Sequence, residues 1–173
     1  AQFAMVSAKE AIENSELNLE KTDLTRAGVI WSSGIGGLET FLEEMRTFIK
    51  RDEKPPFSPF FIPKLIADIA AGHLSMKYGF MGPNYGIVSA CASSSNAIID
   101  AYNYIRLNKA DVFIAGGSEA AINKAGIGGF NAMMAMSTNN EEYATASRPF
   151  DAKRDGFVMG EGSGILALET LEN

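Results

Sequence analysis

Apolar positions recur along the chain in two rhythms. Residues 2–14 set Met5, Ala8 and Ile12 on one face at helical spacing. "RAGVIWSSGIGG" then compresses into a short apolar run, which predicts a buried strand over Val29–Ser32 running into a glycine turn. Over 38–50, Leu38, Phe41, Leu42, Met45, Phe48 and Ile49 return to helical spacing and predict an amphipathic helix. "RDEKPPFSPFFIP" (51–63) predicts a loop, because its prolines deny it regular hydrogen bonding. Residues 64–78 again have helical spacing. "PNYGIVSA" (83–90) reads as a strand and "SSSNAIIDAYNYIRLNK" (93–109) as a helix, with Ile98, Ala101, Tyr102 and Ile105 on its apolar face. Asp111–Ala115 is a buried strand. Residues 126–136 fit neither rhythm, 148–164 read as a loop rich in glycine and charge, and "ILALETL" (165–171) closes as a strand. Strands alternating with helices predict an α/β fold with an at least partly parallel sheet.

Composition narrows the function classes. The chain has 173 residues, 46% hydrophobic and 21% charged, enough for one domain with a sizeable core. A net charge of −6 argues against nucleic-acid binding, since nothing densely basic is present to neutralise phosphates. No apolar run reaches the roughly 18 residues that a membrane span requires. One cysteine forms no internal disulfide, which fits a reducing, cytoplasmic setting. The chain opens inside a helix pattern without an initiator Met and stops as a strand-like run finishes, so it reads as a piece of a longer enzyme.

That cysteine, Cys91, lies where a predicted strand hands over to a predicted helix, between Ala90 and Ala92. A lone cytosolic cysteine is commonly a small packing residue. The junction points the other way. A helix N-terminus offers unpaired N–H groups and the positive end of a dipole, and both favour a thiolate over a thiol. The same N–H groups can hold an oxyanion. Small neighbours leave room for a carbonyl to approach.

"GPNYGIVSACASSSNAI" (82–98) resembles the nucleophile segment of the β-ketoacyl-acyl-carrier-protein synthases, closest to those that elongate medium and long acyl chains. "SSGIGGLE", "FSPFFIP", "AGHLSMKYGFMGPN", "ADVFIAGGSEA", "GIGGFNAMMAMST" and "ASRPFDAKRDGFVMGEGSG" resemble that family's segments in order and spacing, across essentially the whole chain. The resemblance implies a thiolase-like layered fold (α/β/α/β/α in the intact enzyme), of which 1–173 is most of the N-terminal half. It implies decarboxylative Claisen condensation with a malonyl thioester on a carrier protein, acyl transfer to Cys91, and a homodimer. The substrates ride on the carrier's phosphopantetheine arm, so no metal or redox cofactor is implied. Ile35 and Phe130 match positions that line the family's acyl pocket. The family's two catalytic histidines and its lysine lie in the second half. This chain alone is therefore expected not to condense, although Cys91 can still be alkylated.

Other motifs resolve against rival chemistry. His73 sits in a helix-like stretch whose family counterpart is not catalytic, so a Cys–His hydrolase is disfavoured. "SGIGG" (33–37) and "GEGSG" (160–164) match neither G-x-G-x-x-G nor a Walker loop, and they read as tight turns and close packing. "NAMMAM" suits an adaptable pocket wall. Asp155 and Glu161 lack a His or Cys at ligand spacing and read as structural ion-pair residues rather than a metal site. Lys50, Arg51 and Lys54 form a local basic cluster able to dock an acidic carrier. Two rival functions remain, thiolase-type acyl transfer to coenzyme A and a non-catalytic partner subunit of a polyketide synthase. The second typically lacks the nucleophile.

Overall fold

The computed structural model describes residues 1–171, so the last two positions of the 1–173 domain lie outside the described residues. Six helices are described: α1 (Gln2–Asn14), α2 (Leu38–Lys50), α3 (Phe61–Leu65), α4 (Ile69–Tyr78), α5 (Ser93–Arg106) and α6 (Lys124–Ala132). Strands β1 (Ala27–Ser32), β2 (Asn84–Ile87), β3 (Val112–Glu119) and β4 (Gly162–Glu169) form one sheet in the order β2-β1-β3-β4. β1 pairs in parallel with β2 and β3, and β4 runs antiparallel to β3. Every residue of β1 is buried, as expected for a parallel strand covered on both faces.

Strand alternation sorts the core into two layers. Val29, Trp31, Val112 and Ile114 face α1 and α4, where Ala4, Ala8, Ala71 and Leu74 pack against them. Ile30, Phe113 and Ala115 face α5, meeting Ala97 and Ala101. Alanines at the helix contacts let the backbones of α1 and α5 approach the sheet closely. The result is an α/β/α sandwich with the α5 N-terminus at the C-terminal end of the parallel strands.

Several boundaries differ from the sequence reading, each for a local reason. The helix expected over 64–78 is broken: α3 ends at Leu65, Ile66 turns extended with ψ 140°, and α4 begins at Ile69. The Leu65 carbonyl accepts from Gly37 N–H at 2.9 Å. α3 also intrudes on the predicted proline loop, and Pro63 is tolerated because it falls in the first helical turn. β2 stops at Ile87, short of the predicted 90, whereas β3 runs on to Glu119, past the predicted 115. The unplaced stretch 126–136 is helical as far as Ala132, in α6, which is capped by Asn123, whose side chain accepts from Ala125 N–H and Gly126 N–H. β4 starts inside the predicted glycine loop. α5 ends at Arg106, three residues earlier than expected, and Tyr102 is 52% exposed rather than on the buried face. The Arg106 guanidinium lies over its ring at 5.7 Å and donates to its hydroxyl. The apolar face of α2 stacks on aromatic residues of the loop and α3, Phe48 on Phe57 at 5.0 Å and Phe41 on Phe61 at 6.4 Å, yet no residue of α2 is buried.

One ion pair ties the starts of β1 and β3. Arg26 donates to Asp111 twice, at 2.6 and 2.7 Å, and also to the Asn108 side chain at 2.7 Å. The hydrogen-bonded guanidinium holds the Asp111 carboxyl below the usual aspartate range. A depressed carboxyl contributes stability above its unfolded pKa, and that stability is lost as pH falls through the folded value. Asp111→Asn is therefore expected to lower the urea midpoint at pH 7. The difference from the parent should shrink below the ordinary aspartate range. Urea melts at pH 7 and pH 3 check this, and an equal difference at both would refute it.

Candidate active site

Cys91 is exposed at the middle of a one-turn 3₁₀ segment, Ala90–Ala92, between the end of β2 and the start of α5. The strand–helix junction is as expected. Among the described residues its N–H donates to no backbone or side-chain acceptor, while the neighbouring Ala92 N–H is taken by the Ser89 carbonyl at 3.2 Å. Ala90 has φ +52°, in the left-handed region that costs a residue with a Cβ about 1–2 kcal/mol. This turn lifts Cys91 clear of the strand.

A hydroxyl network holds the strained turn. The buried Ser93 hydroxyl donates to the Ala90 carbonyl at 2.7 Å and accepts from Ser89 N–H at 2.8 Å. Asn96 donates to the Ser89 hydroxyl at 2.6 Å. Ser94 and Ser32 share a hydrogen bond at 2.8 Å, which ties α5 to β1. A Cβ on Gly117 would collide with both of those hydroxyls, so the close approach of α5 to the sheet depends on a glycine there.

A cavity of about 740 Å³ opens over this turn, and Cys91, Ile35 and Phe130 all line it. The structure thus brings together three residues that are 56 and 39 positions apart in the chain (91 minus 35, 130 minus 91). Phe130 packs edge-on against Phe157, with ring centres 5.1 Å apart, giving the wall a rigid aromatic corner. Met133 and Met159 extend the apolar side of the lining.

His73 is exposed on α4 and lines a separate cavity of about 560 Å³ with Trp31 and Lys64, to which Cys91 does not contribute. α4 packs on one face of the sheet and α5 on the other, so the two residues sit on different layers. Lys50, Arg51 and Lys54 are exposed at the far end of α2 and line no cavity with Cys91. α2 starts just after Ile35, and its 13 residues place the cluster about 20 Å from that turn.

Asp155 is a structural residue, as expected. Its carboxyl accepts from Ser137 Oγ at 2.8 Å and Thr138 N–H at 2.9 Å, and it lies 3.8 Å from Arg148. The Ser137 hydrogen bond, followed by that of Thr138, holds it below the usual carboxylate range. Glu161 corrects the expectation: it accepts from Ile122 N–H at 2.7 Å and makes no ion pair among the described residues. The glycines of 33–37 do pack closely: Gly36 has φ +80°, and a Cβ there would meet the Leu65 carbonyl at 2.7 Å. Those of 160–164 do not, since a Cβ at Gly160, Gly162 or Gly164 meets nothing within 4 Å. Among the described residues no helix is long and apolar enough to cross a membrane.

The sequence reading missed Glu119, which lines the Cys91 cavity and bonds the turn before α2. The available signal was a carboxylate directly after "AGGS", where an apolar strand should have ended.

The profile of the family described as Beta-ketoacyl synthase, N-terminal domain, matches residues 1–173. The chain is 45% identical over 175 residues to a chloroplastic 3-oxoacyl-[acyl-carrier-protein] synthase I of Arabidopsis thaliana, covering 99% of this chain and 37% of that protein. It is 44% identical over 172 residues to 3-oxoacyl-[acyl-carrier-protein] synthase 2 of Staphylococcus aureus, covering 99% of this chain and 42% of that protein. It therefore spans about two fifths of the length of these relatives. A solved structure of a type II PKS acyl-carrier protein in complex with its ketosynthase superposes with a TM-score of 0.92 at 31% identity, over 99% of this chain and 43% of that one. The layered arrangement is thus the thiolase-like one of ketosynthases.

Proposed function

As the chain belongs to the β-ketoacyl synthase family and matches its N-terminal domain over residues 1–173, we propose that the protein carrying it is a 3-oxoacyl-acyl-carrier-protein synthase with Cys91 as its nucleophile. The observation that carries this reading is Cys91 itself, raised on a strained turn at the head of α5 and opening into the cavity of Ile35 and Phe130.

The Cys91 sulfur attacks the carbonyl carbon of an acyl thioester. The carbon–sulfur bond to the carrier breaks, and the carrier leaves as a thiol carrying the proton that the Cys91 thiol gives up. The acyl chain then lies against Ile35 and Phe130. A malonyl thioester loses carbon dioxide, and the electrons of the broken carbon–carbon bond form an enolate. Its carbon attacks the acyl–Cys91 carbonyl, and the Cys91 sulfur leaves. The Cys91 N–H, which has no acceptor among the described residues, is the candidate donor to the oxyanion formed at that carbonyl. The sequence changes no net oxidation state, so it calls for no redox cofactor, and the carrier's phosphopantetheine arm presents both substrates.

The partner is an acyl carrier protein, a class found with its ketosynthase in one solved relative. Lys50, Arg51 and Lys54 are the candidate contact, reached along α2 from the cavity. The homodimer expected from the resemblance is part of this proposal. It would use β2, the edge strand of the sheet, for pairing. We place the protein in a reducing compartment, the cytoplasm or, as in the plant relatives, a chloroplast. The curated relatives favour fatty acid elongation, while the solved polyketide relative keeps a polyketide substrate in view. Malonyl dependence separates both from thiolase-type transfer to coenzyme A.

The test is acyl transfer from an acyl-carrier thioester to the protein, followed by peptide mass spectrometry. The acyl mass is expected on Cys91. Charge reversal of Lys50, Arg51 and Lys54 should slow transfer from the carrier thioester and spare transfer from a small thioester. Acyl mass on any other residue, or none, counts against the reading.

A further inference from the structure

Glu119 ends β3 half-buried, and its carboxylate bonds across to the turn that follows β1. Oε2 accepts from Gly34 N–H at 2.5 Å and Ile35 N–H at 3.2 Å, and Oε1 accepts from the Ser33 hydroxyl at 3.1 Å. That hydroxyl in turn accepts from Gly36 N–H at 3.0 Å. One carboxylate thus gathers the polar groups of the whole Ser33–Gly36 turn. No lysine or arginine pairs with it among the described residues, so these donors meet its charge.

A Ser-Gly-Ile-Gly-Gly turn has little conformational preference of its own. Two anchors hold it: the Glu119 carboxylate at Ser33–Ile35, and the Leu65 carbonyl at Gly37. Ile35 stands between these anchors, and its side chain is in the wall of the Cys91 cavity. Glu119 is 84 positions away in the chain, yet it bonds the backbone of Ile35 directly.

We propose that Glu119 is a positioning residue for this cavity: by clamping the Ser33–Ile35 turn it fixes the Ile35 wall, and so sets which chain lengths can extend past it from Cys91. This rests on the reading of the cavity as an acyl pocket. Without the clamp the wall yields, and longer chains enter more readily.

The test compares alkylation of Cys91 by N-methyl and N-dodecyl iodoacetamide, scored as the ratio of the two rate constants by mass spectrometry. Glu119→Ala is expected to raise the dodecyl-to-methyl ratio about tenfold, the scale on which a pocket discriminates one or two methylenes. The methyl rate is the reference within each variant, so that the ratio reports only the dependence on chain length. Glu119→Gln should keep the parent ratio, because its carbonyl can accept from both N–H groups and its amide can donate to Ser33 Oγ. Ile35→Ala should raise the ratio by a similar factor, and the Glu119→Ala, Ile35→Ala double variant should rise no further. Ser33→Ala, a milder change that keeps the carboxylate, should shift the ratio less in the same direction and answers the question if Glu119→Ala does not fold. An unchanged ratio in Glu119→Ala, equal changes in both rates, or independent additive effects in the double variant would overturn the proposal. A parent ratio equal to that of a free thiol such as glutathione would instead count against the acyl-pocket reading, and the inference would fall with it.

Discussion

Replacing Cys91 with alanine is expected to abolish acyl transfer while leaving the fold intact. The loss of an enzymatic nucleophile is read on the order of 10⁶-fold in turnover, so transfer should drop below detection. Packing gives the second half of the expectation. Cys91 is exposed and its turn is held by Ser93, Ser89 and Asn96, none of which bonds its sulfur. Truncation there opens no buried void, and exposed substitutions commonly change stability by less than about 0.5 kcal/mol. Fluorescence of Trp31, the only tryptophan, provides the melting signal. Two assays check the claim together: acyl mass on the protein and the thermal midpoint. Acyl transfer persisting in Cys91→Ala would place the nucleophile elsewhere. A large fall in the midpoint would mean that Cys91 has a structural role this geometry does not show.

Trp31→Ala is expected to be the most destabilising single truncation in the domain. Trp31 is the largest fully buried side chain, packed between β1 and the α1–α4 layer. Its indole N–H donates to Ser118 Oγ at 3.1 Å. Truncating a buried tryptophan costs about 3–5 kcal/mol, and Ser118 then loses its partner as well. A domain of this size has only about 5–15 kcal/mol in total. The midpoint by circular dichroism should therefore fall by about 10 °C or more. Trp31→Phe keeps most of the apolar volume and loses the hydrogen bond, so it should fall by a fraction of that. A drop of only about 2 °C in Trp31→Ala would show that α1 and α4 can collapse into the space.

Much of the site was legible in the sequence because its signals are local. A cysteine between two alanines, after an apolar run and before a helical one, already specifies a strand–turn–helix junction. The surrounding segments carry the family likeness in unbroken order. β1, α1 and the start of α5 came from periodicity, which reports which face of an element is buried.

Periodicity cannot report what covers that face. The pattern of α2 promised a buried stripe, but the helix lays its aromatic residues on α3 and the proline loop, leaving Phe41 and Ile49 exposed. Tyr102 lay on the predicted apolar face of α5 and is held at the surface by Arg106 instead.

Strand order, helix breaks and pairings across the sheet depend on contacts between residues far apart in the chain. The break between α3 and α4 follows from Gly37 taking the Leu65 carbonyl. The separation of His73 from Cys91, 18 positions apart in the chain (91 minus 73), follows from α4 covering one face of the sheet and α5 the other. The clamp of Glu119 on the Ile35 turn exists only because β3 lies beside β1 in parallel register, Ser32 opposite Gly117, which carries a carboxylate two residues further on to the turn that follows β1. Short-range spacing selects the elements and the nucleophile. The neighbours that hold the cavity in shape are selected by sheet register, a property of the packed chain as a whole.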